Sequence, residues 1–127
     1  MEDVDLKTAR ARALKVKRRY DELNQIKRGR TWTNEEFMLG FVGDVGDLAK
    51  LVMAQEGARD APGGIEALGH ELADCFWSVL ILADVYGVDL GTEFERIGRT
   101  TFTRRSSTRI PVSWSQMARK VSWCLPR

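Results

Sequence analysis

The feature that most constrains this chain is a row of apolar residues near its start. Leu6, Ala9, Ala13, Val16, Tyr20 and Leu23 recur at alternating spacings of three and four over nearly three heptads, with Lys and Arg on the other sides. Only a helix brings residues at those spacings onto one face, and a stripe of that length is stable only when something covers it. The spacing predicts an amphipathic helix over residues 4–28 that packs against a partner helix. Gly29 ends it, because glycine accepts the left-handed conformation that closes a helix.

The rest of the first hundred residues follows the same logic. Thr33 with Glu36 three positions later forms a capping box ahead of Phe37. A second helix is expected over 34–55, with Phe37, Phe41, Val45, Leu48 and Val52 on its apolar side and Gly57 beyond its end. Residues 60–64, with Pro62, read as a loop. A third helix is expected over 65–86, turning Ile65, Leu68, Leu72, Phe76, Val79, Leu82 and Ala83 inward, with Gly87 as its stop. Asp89 is placed to cap a fourth over 90–99. Strand signals are weak throughout. The expected fold class is all-α, a four-helix bundle-like domain over residues 1–99. The Thr-, Ser- and Arg-rich residues 100–127, interrupted by Pro111, form a basic tail.

Composition narrows the class. With 127 residues the chain is long enough for one domain with its own core, and 43% hydrophobic with 30% charged residues argues against wholesale disorder. No apolar stretch is long enough to cross a bilayer. The first residues carry no apolar signal core, and Cys75 and Cys124 suggest neither a disulfide framework nor a zinc site, so a reducing cytoplasm is the expected location. Charge is unevenly spread. Residues 1–30 hold ten basic and five acidic groups, residues 31–95 hold two basic groups against thirteen acids, and residues 96–127 hold eight basic groups and no acid. An acidic middle between basic ends fits a cation site whose surroundings are completed by basic groups; solvated helix faces are the plainer reading.

Two acidic pairs give that middle its chemistry. Asp44 and Asp47 on the second helix, and Glu71 and Asp74 on the third, each sit at i and i+3 beside apolar neighbours. Like charges at this spacing repel by a few tenths of a kcal/mol, and partly buried anions are costly unless a cation neutralises them. Antiparallel helices could gather all four. Oxygen donors alone suit a hard cation, Mg²⁺ or Mn²⁺ in its place, better than zinc. Gly40, Gly43 and Gly46 each cost about 1 kcal/mol inside a helix, which suggests a close approach of backbone or ligand there.

The run from Gly40 through Asp44, Asp47 and Leu51, then Glu71-Leu72-Ala73-Asp74, then Leu82 to Leu90, resembles the MazG-like branch of the all-α NTP pyrophosphatases, which includes dCTP pyrophosphatase-like members. That family pairs Glu-x-x-Glu with Glu-x-x-Asp across a spacer, and 23 residues separate Asp47 from Glu71 here. Two departures stand out. The first pair is Asp/Asp, whose shorter arms require closer helices, and nothing after Arg99 matches the family's basic and amide continuation. The resemblance implies hydrolysis of a (deoxy)nucleoside triphosphate to the monophosphate and pyrophosphate, in housecleaning of the nucleotide pool. Mg²⁺ would be held by Asp44, Asp47, Glu71 and Asp74, and Glu71, with its longer arm, would be the general base. It also implies a homodimer or homotetramer.

Further candidates surround these four. Trp32 could stack on a nucleobase or pack the corner between the first two helices. Trp77, beside the second pair, could line the same pocket or the core. Lys50 could touch a phosphate or pair with a carboxylate, and Arg96 could meet phosphates from the fourth helix. His70 reads as exposed or structural, Asp84 as a salt-bridge partner and Cys75 as a small core residue. The competing functions are a non-enzymatic helical module whose basic ends bind nucleic acid or a partner protein, against which the acidic middle and the lack of a recognition motif weigh, and a relative that binds nucleotides without hydrolysing them.

Overall fold

The computed structural model describes residues 3–103, which form four helices and no strand: α1 Leu6–Arg28, α2 Asn34–Gln55, α3 Gly64–Val85 and α4 Leu90–Thr103. The chain divides into two compact units, Met1–Gly91 and Thr92–Arg127. The first contains α1 to α3. The fourth helix runs beyond residue 99, and the expected tail lies, from residue 104 onward, outside the described residues.

Local chemistry sets the helix ends. Asp5 caps α1 by accepting from the Thr8 amide at 2.7 Å. Gly29 closes it at φ 70°, donating its amide to the Gln25 carbonyl at 2.9 Å. The capping box of α2 is complete: the Glu36 amide donates to Thr33 Oγ1 at 3.2 Å, and the Thr33 amide donates to Glu36 Oε2 at 3.0 Å. Gly87, at φ 66°, follows α3 where the turn needs a positive φ.

Within the first unit α3 is central and packs against both α2 and α1. Ala13, Phe37, Leu80 and Ile81 form the core cluster, with Trp77 and Leu82 beside it. Trp77 ties the three helices together. Its indole N–H donates to the Ala13 carbonyl at 3.1 Å, and its ring meets Phe37 edge-on at 5.5 Å and Tyr20 at 5.9 Å. Arg10 of α1 pairs with Asp84 of α3, the salt-bridge role expected for Asp84.

The inward face of α3 is only partly the expected one. Ala83 is buried and Leu68 and Leu82 are half-buried, as expected, but Ser78, Leu80 and Ile81 are buried with them, whereas Ile65, Leu72, Phe76 and Val79 are exposed, Ile65 at 73%. The helix is apolar on two sides, so its periodicity fits two phases, and packing against α1 and α2 selects the side that carries the small Ser78. In α2, likewise, Phe37 is buried while Val45 and Val52 face outward. The outward apolar residues are ordered. On α2 they run Met38, Val42, Val45, Ala49, Val52, flanked by Leu39 and Met53. On α3 they run Ile65, Gly69, Leu72, Phe76, Val79. Both rows have the three/four alternation of a packing seam. Among the described residues no single helix is long and apolar enough to cross a membrane.

Candidate active site

A cavity of about 620 Å³ opens between α1, α2 and α3. Its wall has an aromatic part, Tyr20, Trp32, Phe37, Phe41 and Trp77, and an acidic part, Asp44 and Asp74. Polar groups of α1 complete it: Lys17, Asp21 and Asn24. The volume suits a ligand of a few hundred daltons, and a mostly apolar lining with a few convergent polar groups is the usual character of a small-molecule site.

Helix geometry places each part. Asp44 lies two turns beyond Phe37 on the packed side of α2, and Asp74 lies one turn before Ser78 on α3, so antiparallel packing of the two helices brings the carboxylates to the same wall. They interact. The Asp44 carboxyl titrates above its ordinary value, first because partial burial removes water, then because of the charge of Asp74, then that of Asp47. The neighbouring Cys75 thiol is pushed up in the same way, by burial and then by Asp44, Glu71 and Asp74. The charges of three of the four expected carboxylates are thus felt at the Cys75 thiol, and that of the fourth, Asp47, at Asp44.

The four are not equivalent. Asp44 and Asp74 line the cavity; Asp47 and Glu71 do not. Asp47 is held by Lys50, whose Nζ lies 2.6 Å from its Oδ1, so Lys50 takes the carboxylate-pairing role weighed for it. Among the described residues no three His, Cys, Asp or Glu side chains are gathered into a ready-made metal cage. The donors still suit Mg²⁺, which commonly takes one or two carboxylates and fills its octahedron with water and substrate phosphate oxygens. Partial burial and the charge of Asp74, which together disfavour the ionised Asp44, are what a cation there would offset.

Trp32 lies on the cavity wall against the backbone of α2. A Cβ on Gly40 would fall 2.9 Å from Trp32 Cζ3, so only glycine leaves the indole its place. The close approach expected of the three α2 glycines is met at Gly40, whereas Gly43 and Gly46 meet nothing within 4 Å. Trp77 serves both roles weighed for it, as a wall of the cavity and as a neighbour of the core. Arg96, in the second unit, has its guanidinium 2.8 Å from Glu93. His70 is exposed, with Nε2 at 3.6 Å from Asp74 Oδ2.

Sequence reasoning missed the α1 contribution. Lys17 and Asp21 form an i,i+4 ion pair at 2.6 Å, and Asn24 continues the same stripe. The signal was present: these polar residues flank Tyr20, and a helix whose apolar row is bordered by an internally neutralised pair can present that border to a pocket. Compared with known proteins, the chain matches no family model, no curated protein and no solved structure.

Proposed function

We propose that the protein is a Mg²⁺-dependent nucleoside triphosphate pyrophosphohydrolase of MazG-like type, converting a (d)NTP and water to the (d)NMP and pyrophosphate in the cytoplasm. The observation that carries this reading is one cavity with aromatic rings at one part of its wall and two carboxylates, from different helices, at another. A nucleoside triphosphate has the matching halves: a flat base that stacks on aromatic faces and a phosphate chain that travels with a divalent cation.

In this reading Trp32 stacks on the base and the Trp77 ring bounds it, while the indole N–H of Trp77 stays committed to Ala13. Asp44 and Asp74 hold the cation from the cavity wall, and Asp47 and Glu71 support them from one turn away. When bound, Mg²⁺ supplies charge neutralisation of the phosphates and of the charge that develops during displacement. Bare triphosphate is repelled by Asp44 and Asp74, so the acidic wall selects the metal-loaded form. Glu71, one turn from Asp74 and outside the cavity lining, would reach past Asp74 with its longer arm to accept the proton of the attacking water as the water oxygen bonds to the α-phosphorus and the bond from that phosphorus to the bridging oxygen breaks to release pyrophosphate. Lys50 pairs with Asp47 and positions it. Assembly as a homodimer or homotetramer belongs to the same proposal.

The test is product identity. Anion-exchange separation or phosphorus NMR of a (d)NTP incubation with Mg²⁺ should show monophosphate and pyrophosphate. Diphosphate with orthophosphate would contradict the cleavage position. Salt-sensitive binding of DNA or RNA without turnover would favour a non-enzymatic binding module.

A further inference from the structure

We propose that Lys17 of α1 takes the phosphate chain of the ligand in this cavity, and that Asp21 holds the ammonium in reserve until a metal-loaded polyphosphate displaces it. The proposal rests on the reading of the cavity as a nucleoside triphosphate site, and names the cation that meets the charge the metal leaves over.

Three carboxylates line the cavity, Asp21, Asp44 and Asp74, and among the described residues of its wall Lys17 is the one cation. A triphosphate with one divalent ion bound is still a net anion, so it needs a positive group of the protein beside the ion. Lys50 does not serve, because it lies off the cavity wall and pairs with Asp47. On this wall an entering anion can meet a positive side chain only at Lys17, and lysine is a common phosphate partner.

Lys17 is held in a way that suits exchange. Its Nζ lies 2.7 and 2.6 Å from the two oxygens of Asp21, which take two of the ammonium's three donors. The side chains of the pair are only 23% and 30% exposed, whereas Arg10–Asp84, Arg30–Glu36 and Lys50–Asp47 each have a partner more than half exposed. Helix stability gives little reason for the pair, since lysine stands before the acid, the less favourable order at i,i+4. What Asp21 does is neutralise an ammonium that the cavity wall partly withdraws from water. The ammonium is a point charge on a flexible four-carbon stem, so it can turn from a carboxylate to a phosphate oxygen while α1 stays in place. The two partners then act on ligand binding with opposite sign: Lys17 contributes the contact and Asp21 competes for it. A pair that only braced α1 would lose the same thing whichever partner was removed.

Isothermal titration of the full chain with a non-hydrolysable nucleoside triphosphate analogue in excess Mg²⁺ tests this without recourse to turnover, and helical circular dichroism is the control for folding. Lys17→Met should raise Kd by about tenfold or more, the scale of one hydrogen bond to a charged group, and Lys17→Arg should recover most of the affinity. Asp21→Asn should lower Kd, and that gain should vanish in the Lys17→Met/Asp21→Asn double variant, because it depends on the freed ammonium. A folded Lys17→Met that binds as the wild type does, a weakened Asp21→Asn, or a gain that persists in the double variant would each overturn the proposal and leave the triphosphate site standing. A wild type that binds no analogue would overturn the reading of the site and this proposal with it. If Lys17→Met loses helix, Asp21→Asn decides: tighter binding supports the proposal, and unchanged or weaker binding overturns it.

Discussion

Asp44 of α2 and Asp74 of α3 line one cavity wall, and the Asp44 carboxyl pKa is raised first by partial burial and then by the charge of Asp74 across the helix pair. Two helices that pack through apolar residues elsewhere place like charges together here. In the metal-free protein that arrangement opposes folding, and this links the site to several measurements.

The first concerns Asp44 itself. Its folded-state pKa lies above the ordinary value, so its ionised form disfavours the fold at neutral pH, and this penalty is relieved as pH falls through the raised pKa. Asp44→Asn should therefore stabilise the metal-free protein by about 0.3 kcal/mol, the scale of a like-charge pair, while turnover falls by at least a hundredfold. Urea unfolding and a pyrophosphate assay on the same preparation check the two halves.

Ligand linkage gives the second. Mg²⁺ with a non-hydrolysable triphosphate analogue should raise the Tm, since binding to the folded state at a hundred times Kd contributes about 2.7 kcal/mol. In Asp74→Asn the Mg²⁺-dependent part of that rise should vanish. Differential scanning calorimetry with and without chelator separates it from any effect of the analogue alone.

How much of this was legible in the chain can be judged from particular residues. The α2 boundaries were readable because Thr33 and Glu36 state a cap in local chemistry, and the structure keeps both hydrogen bonds. The Asp44/Asp47 and Glu71/Asp74 pairs were readable because two carboxylates one turn apart beside apolar residues are costly without a reason. The inward face of α3 was readable only in part, at Ala83, Leu82 and Leu68. Ile65 and Leu72 repeat as regularly as the residues that are buried, and periodicity shows that a face will be covered without showing by which chain. Lys17, Asp21 and Asn24 were missed because a polar flank resembles solvated surface until α2 and α3 close the cavity over it.

A third prediction follows from Gly40. Gly40→Ala places a methyl group 2.9 Å from the Trp32 ring and must displace it. Loss of a stack worth roughly 1–3 kcal/mol should raise KM on the order of tenfold with a smaller change in kcat. Tryptophan fluorescence should shift in the free protein, and the helix itself should tolerate alanine.

The fourth is acid sensitivity at the start of α2. Arg30 donates two 2.7 Å hydrogen bonds to the Glu36 carboxylate, and the Thr33 amide donates a third, holding the Glu36 pKa at about 2 against an ordinary 4.5. A depressed folded-state pKa contributes stability that is present above 4.5 and is lost as pH falls from there toward 2. Glu36→Gln should flatten that segment of the stability–pH curve, and Thr33→Ala should cost about 1 kcal/mol at any pH through loss of the cap. Chemical denaturation at a series of pH values between 2 and 6 reads both.

The most direct test of the central claim is Mg²⁺-dependent pyrophosphate release across dCTP, dUTP, dATP, dGTP and dTTP, with the wild type beside Asp74→Ala and Glu71→Ala. The account predicts turnover of at least one of these by the wild type, none with chelator, and a loss of at least a hundredfold in kcat/KM in both folded variants, about 2.7 kcal/mol of transition-state stabilisation. Turnover that survives Asp74→Ala undiminished, or no pyrophosphate from any of the five, would contradict it.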